Sequence, residues 1–90
     1  MATILYRKKL YNARKCNIME LQTRLKNLGI NIKSERLRKM VSQEELAERV
    51  DISRNSISLI ETGKINPTII KVVDIARALE IDINLLLRDV

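Results

Sequence analysis

Between Arg54 and Thr62 the sequence RNSISLIET places hydrogen-bonding side chains at spacings suited to recognising flat, polar edges. At 100° per residue, Ile57 and Ile60 fall together on one side of a helix, flanked by Ser53, Ser56 and Glu61. Asn55, Ser58, Leu59 and Thr62 fall opposite, with Arg54 at the edge nearer Ser58. That outward face has a defined chemistry. A carboxamide such as Asn55 pairs in bidentate fashion with adenine, a guanidinium such as Arg54 with guanine, a serine hydroxyl with either, and a leucine with a thymine methyl. A correct bidentate pair is worth about 1–3 kcal/mol of discrimination. Blander readings stand beside these: Arg54 as a phosphate clamp, and Leu59 as a partly covered surface residue.

Other chemistries find little to work with. The chain has no histidine, no nucleophile beside a base, no metal-ligand cluster and no glycine-rich phosphate loop, so neither catalysis nor a metal or cofactor is expected. Cys16 is the one cysteine. It reads as an inert thiol in a reducing, cytoplasmic setting. No apolar run approaches the ~20 residues of a membrane span, and Ile4-Leu5-Tyr6 is cut off by Arg7-Lys8-Lys9 before a signal core can form.

The elements that must position the polar face follow from composition and caps. Hydrophobic residues make up 46% of the chain but aromatics only 2%, with two glycines and one proline, so an aliphatic, all-α domain is expected. Ser42-Gln43-Glu44-Glu45 is a capping-box pattern opening a helix over Gln43–Val50. Asp51-Ile52-Ser53 breaks it, Ser53 caps a second helix over Arg54–Thr62, and Gly63 stands where a helix end favours a left-handed residue. Asn66-Pro67-Thr68 turns the chain into a helix from Ile69 to about Glu80, with an apolar band of Ile70, Val73, Ala76, Ala78 and Leu79. Asp82 caps a last turn carrying Leu85, Leu86 and Leu87, and Ile32 to Lys39 forms a helix with Ile32, Arg36 and Leu37 toward the core. Two short helices joined by a tight turn, over 43–62, make a helix-turn-helix.

Upstream, Ile18, Leu21, Leu25, Leu28 and Ile32 alternate at three- and four-residue steps, a heptad-like seam that fits either packing on the chain's own body or a helix–helix dimer contact. Charge is uneven. Residues 1–18 hold Arg7, Lys8, Lys9, Arg14 and Lys15 without an acid, whereas the whole chain carries +6. A basic arm on a near-neutral body suits a polyanion or serves as a solubilising tail.

Several strings in order resemble the phage repressor and Cro-type, or XRE, helix-turn-helix family. They are Ile32 to Lys39, Ser42 to Glu48, Ile52 to Ser58, Ile60 to Lys64, and Asn66-Pro67-Thr68 through Leu79. The resemblance implies a five-helix, repressor-like DNA-binding domain over 29–90, with the motif at 43–62 and the recognition helix at 54–62. Residues 1–28 fall outside it and read as a basic, helical extension. The sequence departs from the family at Asp51, where a left-handed glycine is usual. Aspartate tolerates that conformation at a small cost.

The resemblance further implies a regulator of transcription, a repressor on a palindromic operator, located in the cytoplasm on the nucleoid. Double-stranded DNA is the expected partner. Arg54, Asn55, Ser58, Leu59 and Thr62 are assigned to base reading, and Gln43, Ser53, Lys64 and Asn66 to phosphates, with Arg49 and Arg38 as weaker candidates. Glu44, Glu45 and Glu48 are expected to point away. One monomer reads few base pairs, so a homodimer is expected, through either the Ile18–Leu28 seam or a C-terminal edge of Leu86, Leu87 and Val90. An alternative keeps the motif but makes the chain an antitoxin or accessory adaptor whose residues 1–28 dock a partner protein.

Overall fold

Four helices in this chain stop in the same way, and those stops set the fold. The computed structural model describes the backbone from Ala2 to Val90 and the side chains from Glu20 to Val90. The expectations for Cys16, Ile18 and the basic side chains before them lie outside the described residues. The elements are α1 (Ala2–Arg38), α2 (Gln43–Arg49), α3 (Arg54–Glu61), α4 (Ile69–Ala78) and α5 (Asn84–Leu87), with no strand among the described residues.

After α1, α2, α3 and α4 the chain turns at one left-handed residue: Met40 (φ 57°), Asp51 (φ 56°), Gly63 (φ 73°) and Glu80 (φ 56°). The amide of the next residue reaches back to the third-last helical carbonyl. These bonds are Val41 to Arg36 (3.1 Å), Ile52 to Ala47 (3.0 Å), Lys64 to Leu59 (2.9 Å) and Ile81 to Ala76 (3.0 Å). This is the Schellman arrangement, which satisfies carbonyls the helix leaves open. The helix starts are equally local. Ser42, Ser53 and Thr68 accept hydrogen bonds from the amides of Glu45, Ser56 and Lys71, at 3.0, 3.0 and 3.1 Å. Asp82 accepts from the amide of Asn84 at 2.8 Å.

The core is aliphatic: Ile32, Leu46, Ile57, Ile75, Leu79 and Leu86 are its largest fully buried side chains. Burying each such side chain contributes about 1.5–3 kcal/mol. Three expectations are corrected here. Leu37 is exposed, because its neighbour Arg36 takes the buried position. Ile70 is also exposed; of the expected α4 band Ala76 and Leu79 are buried and Val73 and Ala78 half-buried, and Val72 and Ile75 complete the inward face in place of Ile70. Leu86 belongs to the core, so of the C-terminal edge only Leu87 is exposed, with Val90 half-buried.

The first helix is also longer than the short element expected at 32–39. It runs unbroken through residues 28 and 29, and Leu28 packs in the core. Of the seam, Leu28 and Ile32 are buried, Leu25 is half-buried and Leu21 is exposed. Asn31 fastens α1 to the C-terminal turn, its amide donating to the carbonyls of Leu86 (2.9 Å) and Arg88 (2.8 Å). Cations tie α2 to α4 reciprocally. Arg49 donates to the Ala78 carbonyl at 3.1 Å, and Lys71 to the Val50 carbonyl at 3.0 Å, so each helix caps the other's negative end.

Candidate nucleic-acid interface

Helix α3 is held from behind. Ile57 and Ile60 are buried, and so is Glu61 at its last turn. The Glu61 carboxylate sits in a junction that sequence reasoning missed. Arg36 of α1 meets it in a bidentate pair, Nε to Oε2 at 2.7 Å and Nη2 to Oε1 at 3.1 Å. Gln43, the first residue of α2, donates its Nε2 to Oε1 at 2.9 Å. Arg36 also donates to the Val41 carbonyl at 2.9 Å, just before α2. One carboxylate thus fixes α1 and the start of α2 against the end of α3. Both charged side chains are nearly inaccessible, at 8% and 2% exposure, so each depends on the other for its solvation.

Gly29 explains how α1 comes so close. A Cβ there would lie 2.6 Å from the Ile60 carbonyl oxygen and closer still to that of Glu61. At Gly63 a Cβ would lie 2.8 Å from the Lys26 amide nitrogen and 2.9 Å from its Cα. Two glycines therefore make the crossing of α1 over the end of α3. A glycine inside a helix, destabilising by about 1 kcal/mol relative to alanine, was the available signal for the first.

The opposite side of α3 is open. Arg54, Asn55 and Thr62 are exposed, and Ser58 and Leu59 are half-buried. Among the described residues Arg54 and Asn55 have no intramolecular side-chain partner, whereas Thr62 donates its hydroxyl to the Ser58 carbonyl at 2.8 Å. Ser53 is exposed but engaged, capping α3 and lying 2.8 Å from the Ser56 hydroxyl. Lys64 and Asn66 are exposed in the following loop, and Gln43 is half-buried with its amide nitrogen on Glu61.

The weaker phosphate candidates are engaged elsewhere. Arg38 lies 3.3 Å from Glu35, and Arg49 lies 3.7 Å from Glu45 while bonding Ala78. Glu44, Glu45 and Glu48 are exposed. No group of acids or cysteines able to hold a metal occurs among the described residues, and no described helix is long and apolar enough to cross a membrane.

This architecture, with α2 and α3 as the motif, matches a helix-turn-helix family model over residues 32–86. The chain belongs to the XRE family of helix-turn-helix domains. As a member of the XRE family it is a DNA-binding regulator. Among solved structures, it is similar to the restriction-modification controller protein C.AhdI from Aeromonas hydrophila. That match has a TM-score of 0.67 at 29% identity over 69% of this chain and 94% of that one. The clp gene regulator ClgR from C. glutamicum gives 0.68 at 27% identity, covering 74% of this chain and 82% of that chain. A hypothetical transcription factor from Neisseria gives 0.68 at 30% identity, covering 74% and 75%. No curated protein sequence matches. The family match begins at Ile32, within α1.

Proposed function

We propose that the chain is a sequence-specific repressor that binds a palindromic operator as a homodimer, inserting α3 into the major groove. The observation that carries this reading is the polarity of α3. Its back is locked by Ile57, Ile60 and the Glu61 junction, while Arg54 and Asn55 are exposed and unpartnered among the described residues. A rigid helix with free bidentate groups is what base readout requires. In this reading Arg54, Asn55, Ser58, Leu59 and Thr62 meet base edges. Gln43, Ser53, Lys64 and Asn66 meet phosphates and set the docking register. Residues 29–90 form the DNA-binding body, residues 1–28 a basic extension, and the protein works in the cytoplasm on the nucleoid.

Selection of bound sequences from a random duplex pool tests this. The expected product is a two-fold symmetric site with half-sites about 10 base pairs apart, or a multiple of that. Asn55→Ala should then relax preference at one position per half-site by about 1–3 kcal/mol while the helical fold stays intact. Unchanged selectivity in that variant removes α3 as the reading element.

A further inference from the structure

The groove between α1 and the end of α3 is lined by Gln22, Leu25 and Lys26 on one side and Thr62, Gly63 and Lys64 on the other. Two of these, Thr62 and Lys64, belong to the face assigned to DNA. Lys26 is locked beside them, because the Gly63 backbone rests on its main chain. Seven residues on, Lys33 lies on the same stripe of α1, since seven steps fall only about 20° short of two turns. Lys26, Lys33 and Lys64 are all exposed, and none has an acidic partner among the described residues.

The charge along the chain points the same way. Residues 1–34 contain eight Lys/Arg and one acid, Glu20, a balance of +7; the total of +6 leaves −1 for residues 35–90. Excess positive charge is thus confined to the stretch that forms α1. A helix so charged repels a second copy laid along it, but it is attracted to a polyanion.

We infer that α1 is a second DNA-binding element, with Lys26 and Lys33 gripping the phosphate backbone beside the segment read by α3. The inference rests on the DNA reading above. Lys26 and Lys64 form the two rims of one cationic groove at the end of the recognition helix. α1 therefore extends the electrostatic footprint without adding base contacts. Phosphate neutralisation is independent of sequence and shows itself in salt dependence.

The experiment measures affinity against salt for the full chain and for the double variant K26Q/K33Q, on the selected operator and on an arbitrary duplex about four helical turns long. Circular dichroism checks that the helices persist. The salt slope of the variant should be shallower by about 0.9 per lost contact, about 1.8 for each bound protomer and so about 3.6 for the dimer on its operator. Both duplexes should lose affinity by the same factor, leaving the specificity ratio unchanged. An unchanged slope overturns the inference. So does a loss confined to the operator, or a loss of self-association in sedimentation without a change in slope, which makes the stripe a protein interface. Wild-type protein that binds neither duplex at low salt overturns the DNA reading itself. Wild-type binding with an unaltered variant slope overturns only the role of α1.

Discussion

The ends of α2 and α3 share one backbone geometry and differ in everything attached to it. Each has a left-handed residue followed by an amide that reaches back into the helix. At α2 the left-handed residue is Asp51, and Ile52 after it packs against the core. At α3 the residue is Gly63, and Lys64 after it is exposed. The last helical residues differ too. Arg49 lies on the surface and Glu61 is buried in an ion pair. A turn geometry is therefore not enough to dictate glycine. Aspartate, methionine and glutamate all accept the left-handed conformation here, at a modest local cost. Glycine is required at Gly63 because the main chain of Lys26 fills the space a Cβ would need.

Substitutions at the two ends can break the contrast, and the largest effect is expected at the buried pair. Glu61→Ala leaves the Arg36 guanidinium buried without a counter-charge and frees Gln43, and should cost about 3–5 kcal/mol in urea unfolding. Gly63→Ala combines an unfavourable φ with a clash against α1, and about 2–4 kcal/mol of lost stability is expected. Asp51→Ala meets no comparable backbone neighbour, so a loss as large as at Gly63 would mean that crowding by Lys26 is not what demands glycine there. Asp51→Gly should raise stability by about 0.5–1 kcal/mol, since glycine enters the left-handed region without a Cβ penalty. Lys64→Ile imitates the α2 end. It should leave the melting temperature nearly unchanged but flatten the salt slope of DNA binding by about 0.9 for each bound protomer.

Those differences also mark what can be read from the chain alone. Ser42, Ser53 and Thr68 are legible as caps because a cap is decided within three residues, and Asp51 and Gly63 are legible as stops for the same reason. Ile57 and Ile60 fall on the inward side in sequence and structure alike because a single helix period decides it. Glu61 reads only as a flanking residue. Its burial depends on Arg36, 25 residues away, which no local pattern reports. Met40 and Glu80 do not read as left-handed stops because neither residue type advertises that conformation. In α4 the run Ile69-Ile70-Lys71-Val72-Val73 offers apolar residues in more than one phase, so the pattern leaves open which of them faces inward. Leu86 reads as an edge residue because three consecutive leucines look interchangeable, and only the packing of α1 and α5 selects one.

The unbroken course of α1 has a mechanical corollary. Because the helix is seated at Gly29 and Lys26, its angular phase is set by the contact with α3. One residue inserted just upstream of Gln22 would rotate the backbone before it by about 100° and advance it by only about 1.5 Å. Removing a whole heptad there would shorten the helix by about 10 Å yet nearly restore the original phase. The contact with α3 therefore keys the angular phase of the backbone upstream of Gln22, and a change of seven residues in length nearly preserves that phase.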